Sequence, residues 1–324
     1  MLIIVNFHYV RPSYDDLPFP AIHGITPDGF RRQLLMLGEF GRFVGLAQVC
    51  DAVAGGKGLP DVSLLVTFDD GLREQHEYAW PILQELDIPA VFFPNTRPIA
   101  TSTVSVVHQI HLLRAHTPPG EFSTDVRRVA KERGIELPIT DPDVAVAHYR
   151  YDSPDVAEVK YLLNLVLSPA DQSRLVNALF NRRFNSAATS RQLYMDTDQL
   201  CELAAAGCLG SHSAEHLPVG QLDNAGMRAQ VRESTEWLTA ITGVAPRAFS
   251  FPYGSKMACN QKVAPVLAEH GYEFALTMER AANRQFDLPF ALARFDNNDL
   301  PGGKASVLPA PGLVEQLPSA TWFR

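Results

Sequence analysis

The chain has 324 residues and a mass of 35.7 kDa, a length that allows about two domains, or one α/β barrel of ~250 residues carrying an insertion. Hydrophobic residues make up 46% and charged residues 20%, which excludes a disordered chain; a chain of this size buries roughly 75% of its unfolded surface without help from disulfides. The net charge is −8 and no long run of one sign occurs, which disfavours nucleic acid and acidic membranes as partners, since both need a basic face.

Met1 to Asn6 is a short apolar run, read as a buried strand. Its flank lacks a basic segment and its length falls short of a signal core. Nor does the chain contain ~18 consecutive apolar residues, the length of a membrane span. The four cysteines, Cys50, Cys201, Cys208 and Cys259, have no C-x-x-C spacing and read as unpaired thiols. Together these features predict a soluble, cytoplasmic protein. Thr26-Pro27-Asp28 starts a helix running to Leu37. Val62 to Phe68 is continuously apolar, the mark of a strand buried on both faces. Glu74 to Leu86 reads as a helix and Pro89 to Phe93 as another buried strand. Strand, helix and strand at this spacing form a βαβ unit and imply a parallel sheet.

Between residues 101 and 190 helical patterns dominate: Val106 to Ala115, Thr124 to Arg133, Val156 to Leu167 and Gln172 to Arg183. Ser168-Pro169 with Asp171 resembles a capping box. The charges of this stretch balance, so it reads as a helical insertion that covers or flanks a site. The α/β rhythm then resumes. Asp196 caps one helix and Asp223 a longer one reaching Gly243, and Gln261 to His270 is a third. Strands are expected at Cys208 to Ser211, Ala248 to Phe251 and Phe274 to Thr277, with a weak one at Ser306 to Leu308.

Four clusters sit at the ends of these elements. Thr67-Phe68-Asp69-Asp70-Gly71 closes the Val62 strand. The C-terminal strand ends build the active face of parallel α/β folds. There two adjacent carboxylates can divide labour, one binding a metal and one free as a base; an ordinary Asp-Gly turn is the plainer alternative. In Gly210-Ser211-His212-Ser213-Ala214-Glu215-His216 two histidines four apart can share one cation, or simply be polar surface residues. The order is not H-E-x-x-H, which weakens a metalloprotease reading. Arg247-Ala248-Phe249-Ser250-Phe251-Pro252-Tyr253-Gly254 runs a strand into a tight turn that can aim backbone N–H groups inward, and Arg294-Phe295-Asp296 ends an apolar stretch with a charged pair.

T-F-D-D-G, S-H-x-x-x-H and R-x-F-x-F-P-Y-G, in that order, resemble the polysaccharide deacetylase family (carbohydrate esterase family 4, the NodB-homology domain). The resemblance covers about residues 1–100 and 190–300 and leaves the helical stretch outside it. It implies an α/β fold, a distorted (β/α) barrel of about seven parallel strands, as one domain over 1–324 with the insertion at 101–190. It also implies metal-dependent removal of N- or O-acetyl groups from a sugar, releasing acetate. Asp70, His212 and His216 would bind a divalent metal, most simply Zn2+, and Asp69 would be the general base. Arg247 would hold Asp69 ionised, and the oxyanion would lie near the Tyr253 N–H. Two histidines and one carboxylate leave an open position, as catalytic zinc sites do.

One departure stands out. The family has a late L-x-H motif whose histidine protonates the leaving amine, and no histidine follows His270 here. His8, at the end of the first strand, is the substitute by position, with His108 and His111 in the insertion behind it. Arg294 and Asp296 partly match the motif that orients the acid. The expected substrate is an acetylated sugar or glycan of surface polysaccharide biosynthesis, nucleotide-linked or lipid-linked. Two other readings stay open: a non-catalytic glycan-binding or assembly protein on the same fold, motivated by the absent late histidine, and a metal hydrolase of another C–N bond.

Overall fold

The computed structural model describes residues 1–12, 17–20, 22–149 and 152–323. It divides into two compact units, one of Met1–Ser13, His23–Thr101 and Arg191–Arg324, the other of Tyr14–Ile22 and Ser102–Ser190.

The first unit is built on two parallel sheets, one of five strands and one of two. β1 (Leu2–Phe7) pairs with β3 (Ser63–Asp70), which also pairs with β2 (Arg42–Phe43) and β4 (Ala90–Pro94). β5 (Ala248–Ser250) pairs with β6 (Phe274–Leu276), and β7 (Phe295–Asp296) pairs with β1. All of these pairings are parallel. β1, β3 and β4 are buried along their whole length, which is why they read as continuous apolar runs instead of alternating ones. Asn6 lies opposite Thr67, and Asp69 and Asp70 lie opposite Phe93 and Pro94. Asn6, Thr67, Asp69 and Asp70 are thus collected at the C-terminal end of these strands.

Aromatic packing fixes the position of that end. The rings of Phe68 and Phe92 stack 4.6 Å apart, and Phe7 meets Phe30 edge-on at 4.9 Å. Phe30 belongs to the helix Pro27–Gly38, whose N-cap Thr26 accepts a hydrogen bond from the Gly29 N–H. The helices Thr197–Ala205 and Asn224–Thr242 are capped by Asp196 and Asp223 as the sequence predicts, and the longer one ends on Gly243 at φ 73°.

Five differences from expectation stand out in this unit. The helix expected from Glu74 to Leu86 opens with a π turn over Gln75–Ala79 before the α-helix Trp80–Glu85; Pro81 has no N–H to continue the regular ladder. Cys208 to Ser211 makes only single bridges, Leu209 to Phe92 and Ser211 to Phe249. At its centre Gly210 packs so tightly that a Cβ would lie 2.4 Å from the Phe93 ring. Residues 306–308 are irregular, with Pro309 and Pro311 beside them unable to donate to a ladder. β2 and the helix Leu46–Val53 were not anticipated.

The second unit is helical, as its sequence pattern predicts, with helices at Val106–Ala115, Pro119–Glu132, Pro154–Tyr161 and Pro169–Phe180 and an unpredicted one at Pro142–His148; the helix expected from Val156 to Leu167 passes into a π turn over Leu162–Val166. Leu112, Val129, Leu163, Leu175 and Phe180 are fully or almost fully buried. Ser168 caps the last helix through the Asp171 N–H. Among the described residues no helix of the protein is long and apolar enough to cross a membrane.

Candidate metal centre

β3 delivers Asp69 and Asp70 side by side, and the backbone then turns sharply. Asp70 sits at φ 79° and Gly71 at φ 68°. Asp tolerates this left-handed region better than most residues; at Gly71 a Cβ would lie 2.6 Å from Pro94. The turn aims Asp70 at two imidazoles. Its Oδ1 is 3.6 Å from His212 Nε2 and 3.5 Å from His216 Nε2. One ligand atom from each of the three residues falls within 4.8 Å of the others, and all three residues are buried.

The donor set suits a divalent cation. His212 Nδ1 lies 2.8 Å from the Ser250 carbonyl oxygen. A carbonyl only accepts, so the proton sits on Nδ1 and the Nε2 lone pair faces Asp70. Burial pushes the His212 imidazole below its ordinary pKa, against the pull of Asp69 and Asp70, which favours the neutral, ligating form. The His216 ring packs edge-on against Tyr253 at 4.8 Å between centroids. Two imidazole nitrogens and one carboxylate in a buried cluster fit zinc or a similar cation.

Asp69 is held apart from this cluster by Arg294. The guanidinium makes a two-pronged contact, Nη1 to Oδ1 at 3.0 Å and Nη2 to Oδ2 at 2.8 Å, the geometry that gives arginine–carboxylate pairs their strength. Arg294 also donates to Thr277 O, Thr67 Oγ1 and Ser250 Oγ and is fully buried. Asn6 donates to Asp69 Oδ2 at 3.0 Å. Burial alone would raise the Asp69 carboxyl; the charge of Arg294 outweighs it, with help from His212 and His8, and the carboxyl is lowered to about 2. Asp69 is therefore an ionised carboxylate inside the protein. The Gln75 amide donates both to the Asp69 carbonyl at 2.6 Å and to the His8 carbonyl at 3.0 Å, tying the ends of β3 and β1 together.

The expectation for Arg247 is overturned. It pairs with Glu273, Nε to Oε1 at 2.5 Å, on the half-exposed surface, and the arginine on Asp69 is Arg294 instead. The cause is strand polarity. Arg247 precedes β5, whereas Ser250, at the other end of that strand, reaches Arg294; the three residue steps from Arg247 to Ser250 span about 10 Å. Asp296 is also not placed as a partner of an acid. It accepts from the Asn298 N–H at 2.9 Å and caps the short turn Asn297–Asp299.

Tyr253 lies at φ 64° and Gly254 at φ 57°, in a turn fixed by the Met278 N–H donating to the Gly254 carbonyl at 2.8 Å. His8 sits on the same strand-end face as Asp69. His108 and His111 belong to the helical unit, where the buried His108 ring lies 2.9 Å from Ser105 Oγ. The residues that sequence reasoning missed are Asn6, Thr67 and Ser250. Each carried one signal: a polar side chain interrupting a fully buried apolar strand, which must find a partner.

Comparison with known proteins agrees with this geometry. The family described as "Polysaccharide deacetylase" matches residues 56–137 and 180–275, together just over half of the chain. The poly-beta-1,6-N-acetyl-D-glucosamine N-deacetylase of Escherichia coli strain K12 is 33% identical over 138 residues, 42% of this chain and 20% of the relative. The match thus spans about a fifth of that relative's length. Among solved structures, the Streptococcus pyogenes deacetylase PplD, in complex with acetate, aligns over 91% of each chain with a TM-score of 0.55 at 13% identity. IcaB from Ammonifex degensii aligns over 91% of this chain and 90% of its own, with a TM-score of 0.55 at 20% identity. The BpsB deacetylase domain from Bordetella bronchiseptica gives 91%, 95%, 0.51 and 20% for the same measures. These likenesses establish a shared fold.

Proposed function

The chain belongs to the polysaccharide deacetylase family, a family of hydrolases acting on carbon–nitrogen bonds, and on that premise we propose that it is a metal-dependent deacetylase removing N-acetyl groups from an N-acetylglucosamine-containing glycan of surface polysaccharide biosynthesis. The observation that carries the reading is the convergence of Asp70, His212 and His216 beside a buried, arginine-clamped Asp69. The similarity to a poly-beta-1,6-N-acetyl-D-glucosamine N-deacetylase supports the sugar. The parallel bridges Phe92–Leu209, Ser211–Phe249 and Leu276–Leu292 support reading the two sheets as a closed, distorted barrel with the site at its C-terminal rim.

Asp70, His212 and His216 would hold the cation, which we assign as zinc. When bound, such an ion polarises a carbonyl and makes water acidic enough to attack at neutral pH. The protein's own groups do the rest. Asp69, ionised and fixed by Arg294 and Asn6, accepts the proton of the attacking water. The Tyr253 backbone N–H, set in its strained turn, donates to the oxygen that becomes negative, a contribution typically worth ~10²–10³ in rate. His8, with no histidine after His270, gives a proton to the departing amine. Acetate and a free amine leave.

The test is acetate release from a short β-1,6-linked N-acetylglucosamine oligomer by the zinc-reconstituted protein. O-acetylated sugars and simple acetamides serve as the competing substrates. Preference for the acetamide or the O-acetyl ester would remove the glycan N-deacetylase reading.

A further inference from the structure

His212 and His216 lie on one short loop, and that loop is conformationally demanding. Ser213 is at φ 66° and His216 at φ 60°. Non-glycine residues persist in this region only where their surroundings over-determine them, and here the restraints come from two sides. Asn95 donates to the His212 carbonyl at 2.5 Å. The Thr96 and Arg97 N–H groups donate to the Ser213 and Ala214 carbonyls at 3.3 and 2.9 Å. From the helix Asn224–Thr242, the Gln230 side chain takes both polar groups of Glu215. Its Oε1 accepts the Glu215 N–H at 2.9 Å and its Nε2 donates to Glu215 Oε2 at 2.8 Å. Arg97 holds the other Glu215 oxygen at 3.2 Å and is itself paired with Glu233 of the same helix. Each residue from His212 to Glu215 is thus fixed, and Gln230 supplies the last restraint before His216.

We propose that Gln230 is a positioning residue for the metal centre, setting the left-handed bend that aims His216 at Asp70. The proposal rests on the reading of Asp70, His212 and His216 as metal ligands. A primary amide suits this role, since it offers one acceptor for a backbone N–H and one donor for a carboxylate in a single planar group. Gln230 is buried, so water does not replace those bonds when they are removed. It touches neither metal nor substrate and acts only through Glu215 and the backbone of His216.

The experiment is zinc affinity of the metal-free full-length chain, read by competition with a chromophoric chelator well below the melting temperature, for wild type, Gln230→Ala and Gln230→Met. Gln33→Ala is the control, because buried Gln33 also makes two amide bonds, to the Asn297 and Pro301 carbonyls, on a different element. Both Gln230 variants are expected to bind zinc ~10–100-fold more weakly, the range for residues that orient ligands. Gln33→Ala is expected to bind as wild type does, whatever it loses in stability, and the visible spectrum of the cobalt-loaded protein should change only in the Gln230 variants. Unchanged affinity in Gln230→Ala overturns the proposal, as does full recovery in Gln230→Met, which would reduce the role to packing. If wild type binds no zinc, the metal reading falls too; if wild type binds and His212→Ala does not, an unaffected Gln230→Ala overturns the positioning role alone.

Discussion

Replacing Arg294 by methionine removes a buried cation and keeps most of its length. In the native protein Arg294 donates to both oxygens of Asp69 and to Thr67, Ser250 and Thr277. The variant leaves Asp69 with the Asn6 amide but without a counter-charge. Breaking a buried pair from one side costs about 3–5 kcal/mol, because the remaining charge has no water to turn to. The pH dependence fixes the cause. In the native protein the Asp69 carboxyl is lowered from 3.8 to about 2; its stabilisation is present above 3.8 and lost as pH falls through about 2. In Arg294→Met the largest influence opposing burial is gone, only His212, His8 and the Asn6 amide still favour the charged form, and the carboxyl rises. The penalty is then felt while Asp69 is ionised and relieved as it takes a proton. Urea unfolding of the metal-free proteins should therefore show a gap of about 3–5 kcal/mol near neutral pH that narrows steadily toward acid. A gap under about 1 kcal/mol, the level of an exposed ion pair, or one of constant width with pH, would mean that Arg294 is not the buried counter-charge of Asp69. Arg247→Ala, which breaks only the exposed contact with Glu273, should stay within that smaller figure throughout.

Other outcomes follow from the same geometry. Gly254→Ala places a Cβ 2.4 Å from Met278 Cγ at φ 57°; differential scanning should show a loss of at least ~1–3 kcal/mol, with a lower kcat as the Tyr253 turn shifts. His8→Ala should lower turnover by ~10²–10⁴-fold while zinc content, measured by emission spectroscopy, stays that of wild type. Zinc at a hundredfold excess over its dissociation constant should add ~2.7 kcal/mol of stability; a chelator should remove it, and His212→Ala should show no such increment.

Much of this architecture is legible from the residues because burial and chemistry mark the same places. β1, β3 and β4 announce themselves as largely apolar runs since both their faces are covered, and β1 and β3 carry polar residues at their C-terminal ends, Asn6 in one and Asp69 and Asp70 in the other. The Asp196, Asp223 and Gly243 helix boundaries are local events, decided by side-chain oxygens and one left-handed glycine. The convergence of Asp70, His212 and His216 has a similar origin: Asp70 ends β3, and the loop carrying the two histidines follows a segment bridged to β4 and β5. The partner of Asp69 was not. Arg247 and Arg294 both flank strands, and only the three-dimensional order of those strands decides which guanidinium reaches the buried carboxylate. β2, two residues long, owes its existence to the edge of β3 rather than to its own sequence. The π turn before Trp80 depends on which carbonyls Pro81 leaves unpaired.

The proposed mechanism requires that Asp70, His212 and His216 hold the catalytic ion while Asp69 does the proton transfer without binding it. The direct test is to measure acetate and free amine together from a β-1,6-linked N-acetylglucosamine oligomer, alongside bound zinc, for wild type and Asp69→Asn. Under that mechanism wild type gives acetate and amine in equal amounts, and none after chelation, while Asp69→Asn keeps its zinc and loses its turnover. An Asp69→Asn protein that turns over at the wild-type rate, or a chelated wild type that does so, would contradict it.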